Sequence, residues 1–233
     1  CHMLFDCPNF KVVGDTGLLT YIADGINKQA SVRVHQLVDA LDQNKPDGLL
    51  EIVPAYNSIL VTYRPDILST ELLIDLIASV YSELKLLPSV TPRIVEIPVL
   101  YGGEFGPDIE FVANCNGLTV EEVVTIHSST EYFVCMLGFT PGFAYLGGMS
   151  EQLHAPRLNS PRDIISAGSV GIANNQTGIY PIDVAGGWRI IGRTPLKLFD
   201  PFNADPFIYK TGDALRFRPI DRYEYDHLVN ING

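Results

Sequence analysis

What this sequence lacks removes several classes of function. No apolar run approaches the ~20 residues that a helix needs to cross a bilayer, and the N-terminus does not read basic-then-apolar like a signal peptide. A soluble, cytoplasmic protein is therefore expected. Cys1, Cys7, Cys115 and Cys135 show no C-x-x-C spacing, so neither a disulfide framework nor a zinc site is expected, and no His–Glu metal motif can be read. There is no G-x-x-x-x-G-K-[ST] loop, so any dependence on ATP needs a different kind of site. The G-x-S-x-G elbow is missing, since Ser169 follows Gly168 directly, and so is a Ser-Ser-Lys amidase arrangement. Positive charge is also scarce. Between Arg93 and Arg157 there is no Lys or Arg, against eight Asp or Glu. A helix–Asn116-Gly117–helix pattern falls in this stretch, but a recognition helix there would meet phosphates with the wrong sign. The net charge of −11 points the same way, excluding nucleic acid and anionic membrane as main partners.

What is present reads as two domains of α+β class, placed at 1–90 and 91–233 with the boundary in Pro88–Pro92. In the first, Gly17–Ala23 reads as a strand. Ile26, Ala30, Val34, Leu37, Val38 and Leu41 recur at helical spacing. Leu49–Val53 and Ser58–Tyr63 follow as antiparallel strands. A second helix, capped by Ser69 or Thr70, buries Leu72, Leu73, Leu76, Ile77 and Val80. With Ile94–Leu100 as a possible further strand, this order predicts a ferredoxin-like sandwich. In the second domain, Asp108–Asn114 and Val120–His127 are two short helices, the latter with a Thr119/Glu122 capping box. Tyr132–Leu137, Val184–Ile191, Leu196–Phe199, Phe207–Lys210 and Ala214–Pro219 read as strands of a small barrel or sandwich without helical periodicity.

The chain is organised around Gly138–Gly148, which packs four glycines, a proline and three aromatic rings into eleven residues. Rings at this density are costly to leave in water and are expected to cover a pocket or a partner surface. Ala167–Ala173 and Gly186–Pro195 share this character, and the three stretches are expected to wall one site. From Arg157 to Phe199 the chain carries Arg157, Arg162, Arg189, Arg193 and Lys197 against only Asp163 and Asp183. Guanidinium groups among rings and glycines suit bidentate capture of a carboxylate or phosphate, although arginines also serve structural ion pairs. Gln176, Thr177 and Tyr180 sit in a polar turn, where they either orient an amide or ring oxygen or satisfy the turn backbone. His127, at a helix end, reads as a general base or as a cap.

Five runs carry a family resemblance: Tyr101–Asp108, Met136–Gly148, Ala167–Ala173, Gln176–Pro181 and Gly187–Pro195. Together they resemble the "allophanate hydrolase subunit 1" family, which also contains KipI-like proteins. The resemblance implies a ferredoxin-like N-terminal domain followed by a cyclophilin-like β-barrel. It implies a subunit of an ATP-dependent complex that opens 5-oxoproline to glutamate, with ATP and Mg2+ used at the level of the complex. The implied partners are an allophanate hydrolase subunit 2-type protein and a LamB/YcsF-type protein. Two alternatives remain: inhibition of a sporulation histidine kinase, and one half of a urea-carboxylase-like carboxyltransferase. For the first activity, residue chemistry assigns the substrate carboxylate or a phosphorylated intermediate to Arg157, Arg189 and Arg193. Gln176, Thr177 and Tyr180 would position the lactam, and Phe139, Phe143 and Tyr145 would exclude water. Pro141 and Thr194 complete the candidate substrate-binding set, and His127, Gln176 and Tyr180 are the candidate catalytic residues.

Overall fold

The computed structural model describes residues 3–25, 28–84 and 92–232. The chain divides into two compact units, Cys1–Thr91 and Pro92–Gly233. The expected helix start at Ile26 and most of the expected Pro88–Pro92 boundary lie outside the described residues.

In the first unit β1 (Leu4–Val13), β2 (Gly17–Ala23), α1 (Lys28–Gln43), β3 (Leu49–Pro54), β4 (Ser58–Tyr63) and α2 (Thr70–Leu84) follow one another. The strands form one antiparallel sheet in the order β1-β2-β4-β3. Helical spacing puts Ala30, Val34, Leu37 and Leu41 of α1 on one face, and Leu73, Ile77 and Tyr81 of α2 on another. In the core they join Leu18, Ile22, Ile59 and Val61 from the sheet. Ser69 caps α2 through its hydroxyl, which accepts from the Leu72 N–H at 3.3 Å. Leu72 itself is 60% exposed, against expectation, because the buried stripe runs one position later, through Leu73 and Ile77. Strand β1 has no counterpart in the sequence-based expectations, because it is a mostly exposed edge strand without apolar alternation. It is tied to α2 by the Tyr81 hydroxyl, which donates to the Phe5 carbonyl at 2.9 Å.

The second unit contains β5 (Ile94–Tyr101), α3 (Ile109–Asn116), α4 (Val120–Ser129), β6 (Glu131–Leu137), β7 (Ala144–Gly147), β8 (Arg162–Ile165), β9 (Ser169–Ala173), β10 (Gln176–Ile179), β11 (Val184–Gly186), β12 (Arg189–Arg193), β13 (Ala214–Pro219) and α5 (Arg222–Asn232). Seven strands close a barrel in the order β10-β7-β6-β13-β5-β12-β9. The stretch Ile94–Leu100 thus belongs to this barrel and not to the first unit, pairing with β12 and, in parallel, with β13. The Thr119/Glu122 capping box is present, and α3 ends at Gly117 in the left-handed conformation.

Three expectations for this unit are corrected. Val184–Ile191 is not one strand: at Gly186-Gly187-Trp188 the chain leaves β11, paired with β8 in a two-stranded ribbon, and enters the barrel as β12. Leu196–Phe199 and Phe207–Lys210 form no ladder, only a single bridge between Phe199 and Phe207, whose rings stack at 5.2 Å. The C-terminal helix α5 is an addition, hidden in the sequence because its apolar residues do not gather on one buried face: Tyr223, Val229 and Ile231 are exposed, and only Tyr225 among its described side chains is buried. Asp221 starts that helix by accepting the Glu224 N–H at 2.8 Å, an N-cap interaction.

Candidate functional site

The Gly138–Phe143 loop joins β6 to β7 on one side of the barrel. The Phe143 N–H bonds the Thr140 carbonyl at 3.0 Å, and the Tyr209 hydroxyl donates to the Gly142 carbonyl at 2.8 Å. The loop thereby turns Phe143 inward as the hub of an aromatic cluster. Its ring centroid lies 5.0 Å from Tyr145, 5.2 Å from Tyr180, 5.6 Å from Trp188 and 5.7 Å from Phe139, all in edge-to-face arrangements. These rings and Arg157 line a cavity of about 340 Å³, closed on one side by Pro161, Gly186 and Gly187. A Cβ on Gly186 would sit 2.7 Å from the Tyr180 hydroxyl, so glycine is what lets that hydroxyl approach the ribbon. Phe139 stands at the mouth with φ of 70° and its side chain 64% exposed. A bulky residue in this left-handed region is strained, and such strain clusters at ligand-binding sites.

Within the cavity Arg157 is exposed and has no hydrogen-bond or ion-pair partner among the described residues. Tyr180 is buried, and burial pushes its phenol up to about 12 despite the opposing charge of Arg157. At neutral pH Tyr180 is therefore a hydrogen-bond donor rather than a base. Trp188, which lies in one of the three glycine-rich stretches but is absent from the expected site residues, completes the inner wall; its place between two glycines and Arg189 is the signal that marks it.

The structure separates the other expected site residues from this cavity. His127 is fully buried in the barrel core, stacked on Phe217 at 4.5 Å. Thr177 donates to the Gly171 carbonyl at 3.0 Å, so its oxygen must accept from His127 Nε2 at 3.0 Å. The Tyr101 hydroxyl then donates to Nδ1 at 2.7 Å. This chain of bonds specifies the neutral Nε2–H tautomer, and burial lowers the imidazole to about 3. His127 is thus neither an accessible base nor a cap; Thr177 is likewise a core hydroxyl. Gln176 opens β10, opposite Ala173. Pro141 is exposed on the turn, and Thr194 is buried with its hydroxyl accepting the Leu196 N–H at 3.3 Å.

Arg189 is committed to the fold. Its guanidinium lies 3.6 Å from the Phe111 ring centroid, its Nε donates to the Pro156 carbonyl, and its Nη1 is 3.8 Å from Asp108. Asp108 has no place among the expected site residues, yet it anchors this region. Buried just before α3, its carboxylate accepts from Arg162 at 3.0 Å and from the Ile190 N–H at 2.7 Å. Arg193 points into a different cleft, lined with Phe105, Arg162, Ser166 and Ser169. The expected single site is therefore two: β12 places Arg189 and Arg193 away from the aromatic cavity, and Arg157 alone reaches it.

Comparison with known proteins agrees with this architecture. The family described as "Carboxyltransferase domain, subdomain C and D" matches residues 8–209. The B subunit of the 5-oxoprolinase of Bacillus subtilis (strain 168) is 43% identical over 223 residues, spanning 91% of this chain and 93% of that protein. The solved structure of TTHA0988 superposes with a TM-score of 0.75 at 38% identity, over 88% of this chain and 40% of that one. The urea amidolyase of K. lactis shares the fold with a TM-score of 0.77 at 17% identity, over 97% of this chain and 15% of that one. The chain belongs to the carboxyltransferase-domain family, subdomains C and D, and within it resembles 5-oxoprolinase B subunits over nearly its whole length.

Proposed function

We propose that this chain is the B-type subunit of a 5-oxoprolinase and that its aromatic cavity receives 5-oxoproline. The observation that carries the reading is the 43% identity to the B-type subunit of a known 5-oxoprolinase, across 91% of the chain. The cavity is chemically consistent with it. At about 340 Å³ it has room for a small ring, it is walled by apolar faces, and it offers one cation without a counter-charge among the described residues. Arg157 takes the carboxylate of the lactam acid in a forked hydrogen bond. The Tyr180 phenol, kept protonated by burial, donates to the lactam carbonyl and stabilises charge developing there. Phe139 and Tyr145 exclude water around the ring.

ATP and magnesium belong to the assembly in this reading. Among the described residues no group of three or more His, Cys, Asp or Glu is placed to hold a metal ion. The partners are a subunit 2-type protein and a LamB/YcsF-type protein, and the isolated chain is inactive. The same reading names the two units ferredoxin-like and cyclophilin-like. For the first, the order β1-β2-β4-β3 supports the name if β1 occupies the edge that a final strand takes in the usual connection.

The test is reconstitution. The chain is co-expressed with both partner proteins of its own organism, supplied with ATP, magnesium and 5-oxoproline, and glutamate is measured. Glutamate is expected only when this chain is present. Arg157→Ala should reduce kcat/KM by about 10- to 100-fold, the loss of one charge-assisted contact. A stable complex that releases no glutamate would sink the 5-oxoproline reading and turn attention to another lactam or urea-type substrate, or to kinase regulation.

A further inference from the structure

The cleft that holds Arg193 is unaccounted for by the aromatic cavity. It has a volume of about 200 Å³ and is built from the Glu104–Pro107 turn after β5, the end of β8, the start of β9, and β12. Ile165 and Ile190 line it and also belong to the cluster around Phe143, Tyr180 and Trp188, so a thin apolar wall separates the two cavities. Its two arginines differ in state. Arg162 is neutralised, with its terminal nitrogens on Asp108 and the Trp188 carbonyl. Arg193 donates only through Nε, to the Ala167 carbonyl at 2.8 Å, which clamps the guanidinium while both terminal amino groups remain without a partner among the described residues. The Ser169 hydroxyl, on a residue only 5% exposed, and that of Ser166 line the same cleft and make no side-chain hydrogen bond among the described residues. The one carboxylate at the rim, Glu104, is paired with Arg222. Phe105, stacked on Tyr225 at 4.7 Å, forms a fixed wall beside Arg193.

We propose that this cleft is a second binding site, for a small oxyanion, a carboxylate or phosphate group, held by the terminal nitrogens of Arg193 and the hydroxyls of Ser166 and Ser169. A clamped guanidinium with two free parallel donors, beside two unused hydroxyls, matches the geometry of a planar or tetrahedral oxyanion. The apolar wall limits the ligand body to a few heavy atoms, since the cleft holds the volume of about seven liquid water molecules. The inference stands on residues distinct from those given to 5-oxoproline, so either reading can fail without the other.

The experiment is a pair of NMR titrations of the full chain at constant ionic strength, one with inorganic phosphate and one with acetate. Saturable shifts centred on the amides of Ser166–Ser169 are expected, with affinity at least tenfold weaker in Arg193→Gln. A Ser166→Ala/Ser169→Ala variant, which leaves the Nε–Ala167 bond intact, should weaken binding several-fold and keeps the test valid if Arg193→Gln fails to fold. A response to phosphate alone assigns a phosphoryl group, a response to acetate alone assigns a carboxylate, and a response to both assigns a general oxyanion site. Absence of saturable shifts with either probe overturns the proposal. So does binding that persists unchanged in the variants, or that is centred on Arg157 and Tyr180.

Discussion

At the scale of single residues, His127 illustrates how packing rewrites what a side chain can do. A histidine at a helix end invites a catalytic reading, yet this one donates and accepts within a closed chain from Tyr101 to Gly171 and never meets solvent. Its folded-state pKa of about 3 lies below the ordinary 6.5, so between those values the unfolded chain binds a proton that the folded chain refuses. Stability therefore falls as pH drops through this window, by up to about 1.4 kcal/mol per pH unit from this group alone. His127→Gln should cost about 1–3 kcal/mol at pH 7, because hydrogen-bond partners in the core are lost. It should also flatten the decline of stability between pH 6.5 and about 4 relative to the parent. Urea unfolding across that range checks both effects, and parallel curves for the two proteins would remove His127 as an acid-sensitive group. Phe139 is the opposite case: exposed, strained and at a cavity mouth, its ring fills no core.

At the scale of elements, the site depends on how three segments are locked together. Asp108 precedes α3, Arg162 opens β8, and Arg189 with Ile190 opens β12; one buried carboxylate holds all three. Such an arrangement is costly to break because two guanidinium groups are left without their counter-charge. Asp108→Asn is expected to destabilise the protein by about 2–4 kcal/mol, the lower part of the range reflecting the partial exposure of Arg162. Combining it with Arg162→Met should recover part of the loss. A loss below about 1 kcal/mol in the single variant, measured by chemical denaturation, would show that the carboxylate is not the lock described above. The ribbon of β8 and β11 matters for the same reason: it carries Ile165, part of the apolar wall between the two cavities, and Gly186, which lines the aromatic one. Neither the ribbon nor α5 is visible in the sequence, because strands of three or four residues, and a helix whose apolar residues are mostly exposed, carry little hydrophobic period.

At the scale of the whole molecule, each unit has its own core. The large cluster that fills the barrel draws only on residues from Ile97 to Phe217, and the sandwich core only on residues from Leu18 to Leu84. Residues 92–233 alone are accordingly expected to fold, provided that the cut spares Arg93, which is paired with Asp213. The fragment should unfold cooperatively and retain the near-ultraviolet signal of the buried Trp188. A fragment with native helix content but without that signal would mean that the barrel cannot pack by itself.

The sequence by itself determined the elements whose evidence is local. Periodicity placed α1 and α2, the Thr119/Glu122 pair began α4, and glycine with proline marked the loop around Phe143. It also determined the family, through short runs whose residues serve turns and close approaches. Tertiary structure alone decided which residues share a site. Arg157, Arg189 and Arg193 are one chemical type in one short region of the chain, and nothing local distinguishes them. Closure of the barrel aims Arg157 into the aromatic cavity, binds Arg189 to Asp108 and turns Arg193 into the second cleft. The same closure encloses His127, because burial is a property of what surrounds a residue rather than of its neighbours in the chain.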